Sequence, residues 1–361
     1  MREGPAGVVI VGGGLAGSLL ALALREQGAS VTLINAPLPA ATAPQAPLSA
    51  TAISYGAVPG WALGTTPLAR LAAGASRRWR ALQQRHGDLG WQPRALRLHG
   101  GNRGLAAISR LGVLPFAQVD TAVFTARLPK LLRGAGVRCR SARVENLMAV
   151  DPGWTLQLSH GETCLAQQVV LAAGAHCRDL WPALPQRLRS SWAAVLELAA
   201  FPPELGRAAA WLPQGFARLG LERSAETLSQ PAWVVDPGLV PWGSGALIGQ
   251  HTWIGCDPTA GLPPPADGCE QQLREALAGL PWPAQRGVLR QAPVAFCSSG
   301  GPLVGPVAAA PGLWMFSGFS AAFSQVPVLA PLLAQRLAGA APVSFQAEAR
   351  LKQLGVWSEG G

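Results

Sequence analysis

Residues 8–35 read VVIVGGGLAGSLLALALREQGASVTLIN. The β-branched run at 8–11 suits a buried parallel strand. The Ala- and Leu-rich stretch 15–27 contains no proline and predicts a helix, and residues 30–34 predict a second strand. Strand, glycine-rich turn, helix and strand within about 30 residues form the βαβ unit in which G-x-G-x-x-G is typical of dinucleotide binding.

Each glycine of this turn has a separate expected role. Gly12 permits the tight turn, Gly14 lets the backbone approach a pyrophosphate, and Gly17 lets the helix pack closely on the strand. The N–H groups that begin the helix, at Leu15 and Ala16, are expected to hold the phosphate charge. The stretch therefore predicts a dinucleotide site.

Asn35 ends the second strand, where an Asp or Glu normally binds the adenosine ribose. An amide still exchanges hydrogen bonds with ribose hydroxyls, although without charge. Because no Arg or Lys lies between Asn35 and Arg70, nothing nearby in the sequence would bind a 2′-phosphate. NADP is therefore not favoured at this site, and FAD and NAD remain.

Composition bounds the class of protein. The 361 residues, 49% hydrophobic and 13% charged, are enough for two domains or one large interleaved one. The six cysteines form no C-x-x-C pair, and scattered reduced thiols predict a cytoplasmic protein. The chain contains no run of about 18 consecutive apolar residues, so no membrane span is predicted. The sequence has no His/Cys spacing that would predict a metal site. It also lacks the G-x-S-x-G motif that would predict a hydrolase.

The net charge of +10, from 29 basic and 19 acidic residues, raises the question of an anionic partner such as RNA. Arginines cluster at residues 77–85, and a second basic cluster lies at 127–143. An arginine-biased composition spread over the surface is the favoured explanation of this charge. No aromatic residues interleave with the second cluster as base stacking would need, so an RNA partner is not favoured.

Beyond the first unit, the patterns predict further helices and strands. Residues 36–60 are Pro- and Ala-rich and predict mainly a loop. Helices are predicted at 66–86, 120–133, 270–280 and 328–338, and strands at 95–99, 137–150, 154–158, 168–173 and 313–316. Residues 192–255 alternate apolar runs with turns, as an antiparallel sheet does.

This order of elements resembles the FAD-dependent oxidoreductases of the D-amino-acid oxidase and glycine oxidase superfamily. With a compact loop after the second strand and P-L-x-G-P at 302–306, it is most similar to the FAD domain of the bifunctional tRNA wobble-uridine modification enzyme. The other segments that carry the resemblance are TAISYG at 51–56, RALRLHGG at 94–101, VDTAVFTARLPKLLRGAGVRCRSARVENL at 119–147, VVLAAGA at 169–175 and GGPLVGPVAAAPGLWMFSGFSAAFSQVPVLAPLLAQRLAG at 300–339.

The resemblance implies an α/β fold in which a Rossmann-type FAD-binding domain is interleaved with an α+β substrate domain built on an antiparallel sheet. The implied FAD-binding domain comprises residues 1–75, 120–190 and 295–361, and the implied substrate domain comprises residues 76–119 and 191–294.

The resemblance also implies FAD as the cofactor and assigns residues to it beyond the glycine turn and Asn35. Val144 is the position that contacts adenine, and the loop starting at Gly318 approaches the flavin ring. The full implied set is the small-residue loop positions Thr51, Ser54 and Gly56, the adenine position Val144, the return-strand positions Ala173 and Gly174, and the C-terminal loop positions Gly318, Phe319 and Ser320.

The substrate side departs from the family pattern. The family carries an Arg about eight residues before the Pro of P-L-x-G-P, where it clamps the substrate carboxylate, and Val294 occupies that position here. Arg290 is the nearest cation, while Tyr55 and His251 are the other candidate substrate contacts. Simple free amino acids are therefore expected to be poor substrates.

The expected activity is oxidation of a C–N bond in an amine or amino-acid-like small molecule by hydride transfer to the flavin, as an oxidase or dehydrogenase acting on CH–NH groups. Two alternatives stay open, a tRNA-modifying flavoprotein and an FAD-binding protein with a degenerate substrate site. No catalytic side chain is assigned, because in this family the flavin does the chemistry.

Overall fold

The computed structural model describes residues 6–37, 48–206 and 209–358, within which the chain forms seventeen strands and ten helices. The strands are β1 (Ala6–Val11), β2 (Val31–Asn35), β3 (Ala57–Pro59), β4 (Trp91–Pro93), β5 (Ala95–His99), β6 (Phe116–Val119), β7 (Arg138–Ser141), β8 (Val144–Ala149), β9 (Trp154–Leu158), β10 (Thr163–Leu171), β11 (Leu188–Leu198), β12 (Ala209–Pro213), β13 (Ala232–Trp242), β14 (Gly245–Ile254), β15 (Val288–Cys297), β16 (Leu303–Pro306) and β17 (Leu313–Ser317). The helices are α1 (Leu15–Glu26), α2 (Pro67–Ala72), α3 (Ala75–His86), α4 (Arg103–Arg110), α5 (Thr121–Gly134), α6 (Cys177–Leu180), α7 (Arg218–Ser224), α8 (Ala266–Leu277), α9 (Ala322–Ala338) and α10 (Val343–Gln353).

The first sheet has the order β16-β17-β10-β1-β2-β7, with β8 and β9 added beside β10. The pairs among β17, β10, β1, β2 and β7 are parallel. From β1 the chain first extends the sheet on one side through β2 and β7, and later on the other side through β10 and β17. This reversal of strand order opens a crevice at the carboxyl ends of β1 and β10, where nucleotides bind in open α/β sheets. The predicted Rossmann-type fold is confirmed.

The second sheet has the order β15-β11-β14-β13-β12-β5, and its pairs are antiparallel except for β12 with β5. One apolar face packs on the small-residue loop through a cluster that includes Ile53, Tyr55 and Val195. The other face packs on α8 through Leu196 and Leu273. The predicted substrate sheet is therefore present, and its first face points toward the cofactor-binding unit.

The proposed residue boundaries between the two units stay a prediction. Trp79 of α3 is fully buried, and its Nε1 donates to the carbonyl oxygen of Phe323 in α9 at 2.7 Å. Because α3 packs on the core beneath α1 and α9, this contact favours a boundary after α3 rather than at residue 76.

Several elements differ from the sequence prediction. The helix predicted at 66–86 is two helices, because the chain turns between Ala72 and Ala75. Helix α9 begins at Ala322, six residues before the predicted start, and accommodates Pro327 and Pro331 because its apolar residues fill the core. Helices α4, α6, α7 and α10 were not predicted. Residues 38–47, within the predicted loop, lie outside the described residues.

Candidate active site

Two of the three turn glycines are required by the protein's own packing. Gly12 has φ +109°, and a Cβ there would overlap the backbone at Ala172 that follows β10. A Cβ at Gly17 would overlap the carbonyl oxygen of Gly12 and lie 3.1 Å from Ile10 Cγ2. These contacts confirm that the turn needs glycine for the tight turn and for close packing of α1 on β1.

Gly14 differs from the other two glycines. It is the N-cap of α1 in extended backbone, and a Cβ there would meet only Thr51 Oγ1 at 3.2 Å. The Leu15 N–H donates to that same hydroxyl at 3.0 Å. The space beside Gly14 is thus bounded by the α1 N-terminus and the small-residue loop, and no acidic residue lies in the first turn of α1. This cradle fits a pyrophosphate, which gains from the positive end of the helix.

Asn35 lies at the exposed end of β2 beside the glycine turn. Its Oδ1 accepts a hydrogen bond from the Gly13 N–H at 2.9 Å. The carbonyl of Asn35 accepts from the Ala142 N–H, which leads directly into buried Val144 at the start of β8. The predicted ribose and adenine positions therefore lie next to each other at the carboxyl edge of the sheet.

We expect Asn35→Ala to weaken FAD binding by a few-fold to about tenfold, because it removes hydrogen bonds that each contribute about 0.5–1.5 kcal/mol net. Asn35→Asp is the matched control, since it keeps an acceptor for the Gly13 N–H. The measurement is FAD affinity by fluorescence titration of the apoprotein. Unchanged affinity in Asn35→Ala would show that the side chain has no part in the site.

The small-residue loop is fixed in place by its backbone. Gly56 has φ +62°, and a Cβ there would overlap the carbonyl oxygen of Val119. Ser54 Oγ accepts from the Gly56 N–H at 3.3 Å, and Thr121 Oγ1 donates to the carbonyls of Ala52 and Ser54 at 2.8 and 3.2 Å. Because α5 begins at Thr121, this helix holds the loop against α1.

The return strand and the C-terminal loop complete the cofactor side. Ala173 and Gly174 follow β10, and Gly174 has φ +59°. Gly318 has φ +84°, and a Cβ there would lie 2.5 Å from Cys297 Sγ, so the turn after β17 requires glycine. Buried Phe319 follows it, with its ring 4.9 Å from that of Phe316.

A polar cluster lies where this C-terminal loop meets the second sheet. Arg218 of α7 donates from Nη2 to the Ser320 carbonyl oxygen at 3.0 Å, and from Nη1 to Glu222 Oε1 at 2.8 Å. The Asp236 carboxylate of β13 accepts the N–H groups of Ala217 and Arg218 at 2.5 and 3.1 Å and so holds the start of α7. Glu222 and Asp236 are buried.

Tyr55 is buried beside this cluster, and its hydroxyl donates to the Gly238 carbonyl oxygen at 3.4 Å. Burial raises the pKa of Tyr55 well above its usual value, and the negative charge of Asp236 raises it further, while Arg218 opposes the shift. Burial also raises the pKa values of Glu222 and Asp236. Tyr55 therefore stays protonated at physiological pH and acts as a hydrogen-bond donor rather than as a base.

Tyr55 is the single tyrosine of the chain, so ultraviolet titration of tyrosinate reports it alone. We expect no tyrosinate in the folded protein near pH 10, where an unperturbed tyrosine ionises. Because the unfolded chain loses this proton near pH 10 and the folded chain retains it, the stability contributed by Tyr55 falls as the pH rises above 10. Asp236→Asn should lower the pKa of Tyr55. Titration near pH 10 in the folded protein would contradict this placement.

Arg218, Glu222 and Asp236 were missed by sequence reasoning. The sequence pattern around Arg218 and Glu222 predicts an antiparallel sheet instead of a helix. The spacing of Arg218 and Glu222, four residues apart, is typical of a helical ion pair and was the available signal. Asp236 carries no local signal, since its role depends on a helix 18 residues earlier in the chain.

Two predicted substrate contacts lie outside this cluster. His251 Nε2 lies 2.8 Å from Gln272 Oε1 in α8, so the imidazole contacts α8 and not the polar cluster, and burial lowers its pKa. Arg290 donates from Nε to Glu197 Oε2 at 2.7 Å. It lies four residues before Val294 on β15. Because alternate residues of a strand share a face, the two lie on the same face with Ala292 between them. His251 thus contacts α8 and Arg290 contacts Glu197, and a substrate role for either residue stays a prediction.

Within the described ranges no group of three or more His, Cys, Asp or Glu side chains is arranged to hold a metal ion. Among the helices that the structure describes, none has the length and apolarity needed to cross a membrane.

The structure is similar to three solved amino-acid-oxidising enzymes at low sequence identity. Glycine oxidase from Geobacillus kaustophilus is 17% identical with a TM-score of 0.67, covering 93% of this chain and 95% of the enzyme. Iminodiacetate oxidase (IdaA) from Chelativorans sp. BNC1 is 18% identical with a TM-score of 0.68, covering 98% and 100%. L-amino acid deaminase from Proteus vulgaris is 14% identical with a TM-score of 0.64, covering 95% and 96%. These likenesses establish the fold.

No curated protein sequence gives a significant match. The family model DAO, FAD dependent oxidoreductase, matches residues 7–114 and 111–336 and so spans most of the chain. This match agrees with the cradle at Gly14, the return strand and the C-terminal loop described above. The chain belongs to the DAO family of FAD-dependent oxidoreductases, and FAD is its cofactor.

Proposed function

We propose that the protein oxidises the C–N bond of an amine or amino-acid-like small molecule, bound between Tyr55, Arg218 and the loop at Gly318–Ser320. One observation carries this proposal. Arg218 belongs to the unit of the second sheet, and its guanidinium donates to Ser320 O in the loop expected to approach the flavin. The polar side chains of the substrate side therefore meet the cofactor side at this point.

When bound, FAD supplies the electron acceptor, which takes the hydride from the carbon next to the substrate nitrogen. The role of this chain's residues is to bind and orient the substrate and to exclude water. Tyr55 donates a hydrogen bond from a buried hydroxyl, and Arg218 is held in place by Glu222. Asp236 fixes α7 by accepting its first N–H groups. No side-chain base is needed, provided that the amine reaches the site unprotonated.

The names of the structural neighbours support the C–N class of reaction, since glycine oxidase, iminodiacetate oxidase and L-amino acid deaminase are named for the oxidation or deamination of amino acids. The family assignment supports oxidoreductase chemistry. The chain's own side chains narrow the choice of substrate. Val294 is apolar and partly buried on β15, so it offers no charge to pair with a substrate carboxylate.

A second candidate function, an FAD-binding protein that has lost turnover, is also favoured by Val294. Val294 offers no charge to a substrate, and Arg290 is paired with Glu197. Under this alternative the cofactor cradle stays intact while no amine reacts.

Turnover of an amine panel separates the two candidates. The panel holds primary and secondary amines with and without a carboxylate, and an artificial electron acceptor dye replaces any natural acceptor. We expect at least one amine to yield a carbonyl compound and a cleaved amine in equal amounts, identified by mass spectrometry. A flavin-loaded protein that converts none of them would support the degenerate alternative. The Tyr55→Phe variant should raise KM for the accepted amine, because it removes the hydroxyl whose hydrogen bond to the Gly238 carbonyl oxygen holds the ring beside the polar cluster.

A further inference from the structure

Helix α4 and the turn after it expose a concentrated set of aliphatic side chains. Thirteen large apolar side chains are exposed in the described residues, and four of them, Leu105, Ile108, Leu111 and Val113, lie within nine residues of one another. Leu111 is 74% exposed and Val113 is 64% exposed. We call these four residues, together with Arg103 and Arg110, the α4 surface.

The α4 surface is held outward by specific contacts. Ser109, which follows Ile108 in the helix, is buried, and its Oγ accepts from the Leu98 N–H of β5 at 2.9 Å. Arg97 Nη1 donates to the Ser109 carbonyl oxygen at 2.8 Å, and Asn102 caps the helix by accepting the Leu105 N–H. The helix is therefore fixed to the second sheet, while Ile108 and the turn residues Leu111 and Val113 stay exposed to solvent.

A loop beside this helix extends the apolar area. The Gly60 N–H donates to the Pro115 carbonyl oxygen at 2.6 Å, which brings the loop after β3 beside the turn that carries Leu111 and Val113. Leu63, in that loop, is 59% exposed. The apolar side chains thus come from two segments that the fold brings together.

The chain segment that carries α4 and the turn after it has charge of one sign. Residues 89–119 contain four arginines and no Asp or Glu. A partner for this surface must be both apolar at its boundary and anionic.

We propose that the α4 surface docks on an anionic lipid bilayer. Aliphatic side chains enter the boundary between headgroups and acyl chains, while Arg103 and Arg110 pair with lipid phosphates. A two-fold contact with a second copy would bring these arginines near those of the copy without a carboxylate from residues 89–119 to offset them. RNA is disfavoured because its bases stack on aromatic rings, and the exposed residues here are Leu, Ile and Val.

The test is sedimentation of the full-length holoenzyme with vesicles of phosphatidylcholine, with and without phosphatidylglycerol. We expect binding to the mixed vesicles that weakens as salt is raised. The double variant Arg103→Gln with Arg110→Gln should weaken vesicle binding about 25-fold, because each arginine at the surface contributes a factor of about five. Ile108→Asp with Leu111→Asp should abolish it. Leu262→Asp is the matched control, because Leu262 is 87% exposed outside the α4 surface and should leave binding unchanged.

All four side chains changed at the α4 surface are exposed, so FAD content and circular dichroism should match the original protein. Failure of the holoenzyme to bind mixed vesicles would overturn the proposal, as would binding that survives Ile108→Asp with Leu111→Asp. Two further outcomes would replace the bilayer with another partner: tRNA binding that depends on these residues, or a dimer that the same variants dissociate. None of these measurements depends on turnover, so they stand apart from the proposed amine oxidation.

Discussion

Replacing Gly14 with valine is expected to give a folded protein that does not retain FAD. The backbone at Gly14 is extended, and an added Cβ meets only the hydroxyl of Thr51 at 3.2 Å. A Cβ there requires the Thr51 hydroxyl to shift by a few tenths of an ångström but meets no backbone atom, and the valine side chain enters the cradle between α1 and the small-residue loop. Loss of two charge-assisted hydrogen bonds to a phosphate costs about 3–6 kcal/mol, which weakens binding about 100-fold or more.

The comparison with Gly17 makes this prediction specific. A Cβ at Gly17 would overlap the backbone carbonyl of Gly12, so Gly17→Val should prevent folding rather than only empty the site. The measurements are the flavin absorbance of each purified variant and its circular dichroism. A Gly14→Val protein that stays yellow, with FAD bound as tightly as before, would show that the cofactor phosphates lie elsewhere.

Glycine, sarcosine and D-alanine are expected to be poor substrates, with kcat/KM about 100-fold to 4000-fold below that of the preferred amine. A carboxylate buried without a paired cation costs about 3–5 kcal/mol. Val294 supplies no cation, and Arg290 is engaged by Glu197 at 2.7 Å. Arg290→Ala should therefore leave the relative rates for these amino acids unchanged.

Arg218 is the residue that could overturn this expectation. Its guanidinium contacts Ser320 O in the C-terminal loop but is already paired with Glu222. Steady-state rates with sarcosine and with a matched secondary amine lacking the carboxylate decide the point. Efficient oxidation of sarcosine that Arg218→Ala abolishes, while the matched amine is still oxidised, would show that Arg218 binds the carboxylate and that our reading of the pocket is wrong.

The glycine turn of the cofactor side was accessible from the sequence because its strand, turn and helix follow one another directly. Gly12, Gly17, Gly56 and Gly318 each stand where a side chain would strike the backbone or a neighbouring group within the fold. The pattern of strand, turn and helix predicts Gly12 and Gly17, whereas Gly56 and Gly318, which approach Val119 and Cys297, were implied only by the family resemblance. The helix predicted to begin after Asp120 is likewise confirmed, since Asp120 Oδ1 accepts the N–H groups of Ala122 and Val123.

The substrate side was less accessible because its contacts join distant segments. Tyr55, Arg218 and Ser320 meet only after two sheets have packed together. His251 was expected to face the pocket, but alternation along β14 alone does not tell which face meets α8. The pairing of Arg290 with Glu197 depends on the register of β15 against β11, which the sequence does not encode locally.

The most direct test of the central claim is the visible spectrum of the purified protein during anaerobic titration with amines. We predict a yellow protein that releases FAD on denaturation, and bleaching of its flavin band by at least one secondary amine that lacks a carboxylate. A colourless protein would contradict the cofactor assignment. A yellow protein whose flavin band persists with every amine, yet is bleached by dithionite, would contradict the proposed oxidation of C–N bonds.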